Sequence, residues 1–146
     1  MIQPLHIFLV DDDADDRQLF QEAIYEIAPH TKLSLADGCD MLVKLAKIET
    51  EKPDLIFLDL NMPGLNGFDC LDEIKSKQSL GNVPVLIYST TANPEQVKKT
   101  YNKGATLYMQ KPSSYEGIKK LVHQVLLINL SDNLSQAVES NLVLSA

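Results

Sequence analysis

Short apolar runs alternate along this chain with longer stretches of helical periodicity. The runs are His6-Ile7-Phe8-Leu9-Val10, Leu33-Ser34-Leu35-Ala36, Leu55-Ile56-Phe57-Leu58, Val85-Leu86-Ile87-Tyr88 and Thr106-Leu107-Tyr108-Met109. A run this short with little polar alternation reads as a strand buried on both faces, the habit of a parallel sheet. Between the runs, Leu19, Phe20, Ala23, Ile24 and Ile27 recur at helical spacing, with Pro29 beyond the end. Met41, Leu42, Leu45, Ala46 and Ile48 predict a second helix, and Phe68, Leu71 and Ile74 a third. A fourth opens at Pro94, capped by Asn93 or Thr91, and closes at Gly104. The last runs from Tyr115 to about Asn129, on Ile118, Leu121, Val122, Val125, Leu126 and Leu127. Five strand–helix alternations with short links predict an α/β fold, a doubly wound five-stranded parallel sheet with helices on both faces.

The end of the chain follows another rule. Leu130, Leu134, Val138 and Leu142 recur every four residues between polar neighbours, so residues 131–146 form a tail after a 1–130 domain, expected as one extra amphipathic helix with a frayed terminus as the alternative. The 146 residues are one domain's worth, and 45% hydrophobic content suffices for a core. No apolar run approaches the roughly 18 to 20 residues that span a bilayer. Asp11 to Asp16 interrupt any leader-like N-terminus. A cytoplasmic protein without a membrane partner is expected. Cys39 and Cys70 lack metal-like spacing and read as buried thiols.

Charge changes the picture more. The net is −7, but residues 1–73 carry −11 and residues 74–146 carry +4. An acidic first half opposes direct nucleic-acid binding and suits a divalent cation. In a parallel sheet the carboxyl ends of all strands share one edge, where ligands bind. That edge collects Asp11, Asp12 and Asp13, then Asp59, Ser89 and Lys111. Taken singly, each has a plain role: helix start, turn, cap or surface lysine. Converging carboxylates would repel unless one stayed protonated or a hard cation joined them, and oxygen donors alone point to Mg²⁺. A hydroxyl and an ammonium opposite would suit phosphate oxygens, as in metal-assisted phosphoryl transfer.

Two rival motifs use the same residues. Asp11, Asp13, Asp15 and Glu22 fit positions of a calcium-binding loop, but Asp16 stands where its glycine belongs and a strand precedes it. Asp11-Asp12-Asp13 also resembles the motif of haloacid-dehalogenase-type phosphatases, with Asp11 as nucleophile and Asp13 as acid. Ser89 and Lys111 would then serve as later motifs, although no acidic pair follows the lysine before Glu116.

Residues 5–129 resemble the receiver domain of two-component response regulators. The resemblance rests on Asp11-Asp12, Asp59-Leu60-Asn61-Met62-Pro63, Ser89 and Lys111-Pro112, with Gly67 and Gly104-Ala105 in their usual places. It implies the flavodoxin-like strand order 2-1-3-4-5 of the chemotaxis regulator. It implies that Asp59 accepts a phosphoryl group from a sensor histidine kinase or phosphotransfer protein. Mg²⁺ would be held by Asp12, Asp59 and the Asn61 backbone carbonyl, with Asp11 acting through water and Asp13 only starting the helix. Lys111 would pair with the phosphoryl oxygens and Ser89 would move to bond them, coupled to an inward swing of Tyr108. Asn61 and Thr91 would tune dephosphorylation. The chain would be no enzyme beyond its own phosphoryl transfer and autodephosphorylation. One departure is Ser113, where relatives carry a bulky apolar residue, so the loop after Lys111 should be anchored differently.

A stand-alone receiver of this kind would signal through a changed docking surface or a phosphorelay. Lys98, Lys99, Lys103, Lys119 and Lys120 mark the fourth and fifth predicted helices as the face for a partner or a homodimer. A solvated basic surface is the plain alternative.

Overall fold

The structure, a computed structural model, describes residues 5–38, 52–61, 67–77, 80–127 and 142–146. Among them a single parallel sheet comprises β1 (His6–Val10), β2 (Lys32–Ala36), β3 (Leu55–Leu58), β4 (Val85–Ser89), β5 (Leu107–Gln110) and β6 (Val143–Leu144). The strand order is β2-β1-β3-β4-β5-β6, with every neighbouring pair parallel. Five strands and their order are those expected, and β6 is an addition at the outer edge.

Four helices are described: α1 (Ala14–Ile27), α2 (Gly67–Ser76), α3 (Pro94–Asn102) and α4 (Tyr115–Leu127). They cover both faces. Ile7, Leu9, Phe57, Leu86 and Met109 point to one side and pack with Phe20, Ala23 and Ile24 of α1 and Ile118, Leu121, Val122 and Val125 of α4. Phe8, Val10, Ile56, Leu58, Val85 and Ile87 point to the other, against Cys70, Leu71 and Ile74 of α2 and Val97 and Tyr101 of α3. The central strands are buried along their whole length, which is why they read as unbroken apolar runs. Each such side chain removed from water contributes about 1.5–3 kcal/mol.

Local signals set the helix ends. The Asp13 carboxylate accepts from the backbone N–H groups of Asp15 and Asp16, and Asn93 does the same for Glu95 and Gln96 with Pro94 behind it. At the end of α3, Gly104 takes φ +98°, its N–H donates to Tyr101 O and the Ala105 N–H to Thr100 O. That paired closure needs a left-handed residue, which glycine adopts without strain.

The expected second helix (Met41, Leu42, Leu45, Ala46, Ile48), Cys39 and the Met62-Pro63-Gly64 turn lie outside the described residues. So do Leu130, Leu134 and Val138 of the expected tail helix. Leu142 is described: its carbonyl accepts from the Tyr101 hydroxyl, and the next two residues form β6, where a helical stripe had been expected to finish. Val143 packs toward the α2/α3 face and Leu144 toward the α1/α4 face.

Candidate functional site at the strand ends

The sheet itself positions the site. The first residue past β1 donates its backbone N–H to the neighbouring strand, Asp11 to Ala36 O at 3.0 Å. Asp59, just past β3, donates to Val10 O at 2.9 Å, and Lys111, just past β5, to Ser89 O at 2.7 Å. Three candidate residues therefore sit on the same hydrogen-bond ladders as the core strands, with little freedom to drift.

Their side chains meet. Lys111 Nζ donates to Asp11 Oδ2 at 2.9 Å, Asp59 Oδ2 at 3.1 Å and Asp16 Oδ2 at 3.0 Å. The remaining oxygens are also engaged: Asp11 Oδ1 accepts from the Asp13 N–H at 3.0 Å and Asp59 Oδ1 from the Asn61 N–H at 2.9 Å. A cavity of about 490 Å³ opens over them, lined by Asp12, Asp16, Asp59, Asn61, Thr90 and Lys111 among others. Asp11 and Asp59 are buried beneath it.

Burial lifts the Asp11 carboxyl from its ordinary 3.8 to about 6, with the Asp59 charge adding to the rise and Lys111 and the Asp13 amide opposing it. Burial also works against the Lys111 ammonium, but its hydrogen bonds to Asp11 and Asp16 prevail and hold it above the usual lysine range. The lysine is a fixed cation. Its Nζ also lies 5.3 Å from the centre of the Tyr88 ring.

Asp11, Asp12 and Asp59 each present a carboxylate oxygen within 4.8 Å of the others. One ammonium does not balance three carboxylates, and hard oxygen donors at this spacing fit Mg²⁺. Asp13, by contrast, spends its carboxylate on capping α1. Asp11 has no solvent exposure and, unlike Asp59, does not line the cavity, which leaves it poorly placed as a nucleophile.

The remaining expected residues form a second network. Ser89 is fully buried; its Oγ accepts from Asn61 Nδ2 at 2.9 Å and from the Thr91 N–H at 3.3 Å, so Thr90 rather than Ser89 lines the cavity. Tyr108 is already turned inward, its hydroxyl donating to Thr91 O at 2.6 Å and accepting from Gln96 Nε2 at 3.0 Å. Hydrogen bonds thus run from Asn61 through Ser89 and Thr91 to Tyr108. The loop after Lys111 is held by Ser114, whose Oγ accepts from the Gly117 N–H at 3.0 Å, while Ser113 is exposed.

Of the five lysines expected to mark an output face, Lys103 pairs with Asp72 at 2.7 Å and Lys119 with Glu26 and Glu116 at 3.1 and 2.9 Å. Lys98 and Lys120 are exposed, and Lys99 stacks 4.1 Å over the Phe68 ring.

Comparison with known proteins gives a consistent result. Residues 7–123 match the family described as Response regulator receiver domain. The two-component response regulator ARR17 of Arabidopsis thaliana is 32% identical over 130 residues, covering 83% of this chain and 84% of that protein. Response regulator Rcp1 of Synechocystis is 30% identical over 127 residues, covering 84% and 86%. NarL of Escherichia coli is 33% identical, but the chain spans only 55% of its length. Among solved structures, the phosphorylated cyanobacterial phytochrome response regulator RcpA superposes with a TM-score of 0.76 at 27% identity, over 84% of this chain and 91% of that one. The Mn²⁺-bound form of Rcp1 superposes with a TM-score of 0.73 at 28% identity, over 88% and 96%.

Proposed function

The chain belongs to the response regulator receiver domain family, and from that premise we propose that Asp59 accepts a phosphoryl group from a histidine kinase or phosphotransfer protein. The observation that carries this is the contact of the Asp59 carboxylate with the Lys111 ammonium at 3.1 Å, at the floor of an open acidic cavity. An Asp59 oxygen attacks the phosphorus of a phosphohistidine. The new P–O bond forms as the P–N bond breaks, and the electron pair returns to the imidazole nitrogen. Asp12, Asp59 and the Asn61 carbonyl would hold Mg²⁺, with Asp11 acting through water, and the ion would supply charge that offsets the anionic oxygens.

The protein does the rest. Lys111 places a permanent positive charge against the incoming oxygens, and the Asp59 ladder bond fixes the nucleophile. Phosphorylation replaces the single Asp59 charge with nearly −2, a net gain of about −1 placed farther out at this edge. Ser89 would exchange its Asn61 and Thr91 bonds for phosphoryl oxygens, and the Thr91 carbonyl would pass that shift to Tyr108 and α3. Water later cleaves the acyl phosphate, releasing inorganic phosphate and restoring the carboxylate; Asn61 and Thr91 tune that step. The working unit in this reading is residues 1–130, in the cytoplasm, with 131–146 as a tail and the α3/α4 face as the surface for a partner or a second copy.

The test is incubation with Mg²⁺ and acetyl phosphate, followed by mass mapping. A label on Asp59, absent from Asp59→Asn, is expected. Phosphatase turnover that survives Asp59→Asn but not Asp11→Asn would overturn the reading in favour of the dehalogenase-type alternative, which nothing in the comparisons supports.

A further inference from the structure

We propose that Asp16 is a positioning residue that holds Lys111 in the resting state and competes for it with an incoming phosphoryl group; the proposal rests on the phosphoacceptor reading above. Asp16 is the third residue of α1, where an acidic side chain commonly folds back onto the N–H of the capping residue. Here that N–H, on Asp13, already donates to Asp11 Oδ1 at 3.0 Å. Asp16 instead reaches across to the loop after β5 and accepts from Lys111 at 3.0 Å.

An ammonium has three N–H donors, and Lys111 spends all three on Asp11, Asp16 and Asp59. Before the transfer it can reach an incoming phosphoryl oxygen only by releasing one carboxylate. Until the transfer Asp11 and Asp59 both carry charge and their side chains are 0% and 6% exposed, so releasing either to an incoming phosphoryl group would strand a buried charge. Asp16 is 41% exposed and water can take the place of the lysine. Asp16 and the phosphoryl group therefore compete for the same N–H. The Asp16 charge sets how readily Lys111 is surrendered and adds repulsion against an incoming anion.

The experiment compares wild type, Asp16→Asn and Asp16→Glu at saturating Mg²⁺, each with and without Lys111→Ala. It reads the rate of Asp59 labelling by acetyl phosphate and the affinity for beryllofluoride. Asp16→Asn should label faster and bind beryllofluoride more tightly by about three- to fivefold, the scale of one partly exposed ion pair. Asp16→Glu should remain near wild type. The rate gain should shrink with added salt and vanish in the Lys111→Ala background, which a purely structural effect on α1 would not do. Equal or slower labelling of Asp16→Asn, or a gain that persists without Lys111, overturns the proposal. A wild-type chain that takes no label on Asp59 would instead defeat the phosphoacceptor reading, and the role of Asp16 with it.

Discussion

Replacing Gly67 with alanine sets two physical effects against each other. Gly67 begins α2, and in a helix alanine is favoured over glycine by up to about 1 kcal/mol. The surroundings oppose that gain. A Cβ at this position would lie 2.5 Å from Leu60 Cα, 2.7 Å from its carbonyl oxygen and 2.9 Å from its carbonyl carbon. Ordinary contact begins near 3.4 Å, so about 0.9 Å of backbone must give way. Leu60 is itself buried at 6% exposure and directly follows Asp59. Overpacking of this kind costs about 1–3 kcal/mol. The net expectation is a loss of about 1 kcal/mol, or a fall of about 3 °C in the melting midpoint of a chain this size. The displaced backbone also carries the Asn61 N–H that holds Asp59 Oδ1. Mg²⁺ affinity, measured by calorimetry on protein still folded at 20 °C, should therefore fall by about tenfold, the scale of disturbing a hydrogen bond that orients a metal ligand. A midpoint that rises or stays put would refute the reasoning and leave helix propensity as the deciding effect.

Three further outcomes are expected. Without divalent cations, stability should fall as pH rises from about 4 to about 6, because the folded chain keeps the Asp11 proton that the unfolded chain sheds near 3.8. A carboxyl raised to about 6 corresponds to about 3 kcal/mol across that window, absent in Asp11→Asn; urea titrations at pH 4.5 and 7 that give wild type and variant the same pH dependence would contradict it. Lys111→Met strands two buried carboxylates and should cost about 3–5 kcal/mol in EDTA, with Mg²⁺ restoring more stability than it adds to wild type; chemical denaturation with and without Mg²⁺ measures both. Tyr101→Phe deletes a hydroxyl that accepts from the Tyr108 N–H and donates to the Leu142 carbonyl. Leaving that buried N–H unpaired should cost about 1–3 kcal/mol and speed amide exchange in β6, and unchanged exchange there would count against Tyr101 as the clasp.

The strands were legible because burial on both faces removes polar residues from them, so Leu55–Leu58 and Val85–Tyr88 announce themselves. The site was legible because those runs end abruptly in Asp11, Asp59, Ser89 and Lys111, and a parallel sheet must gather such ends on one edge. Asp16 was not. An acidic residue in the first turn of a helix is already accounted for by the helix dipole, and only three dimensions bring it under a lysine 95 positions away. β6 escaped for a different reason. Two apolar residues carry no period, and Leu142 continued a four-residue spacing that suggested a helix. The importance of Tyr101 was hidden too, because a tyrosine at helical spacing looks like ordinary core until its hydroxyl is found between two strands.

The order of strands bears on how the chain is made. Among the described strands β2 takes one edge of β1 and β3 the other; from β4 onward each strand is laid against the one synthesised before it. A ribosome feeding the chain out from its N-terminus can thus extend the sheet in one direction from β3 onward, with no later described strand needing to be threaded between two already paired. The newest strand is always the open rim, and β6 closes off the rim left by β5 after every other described element has emerged.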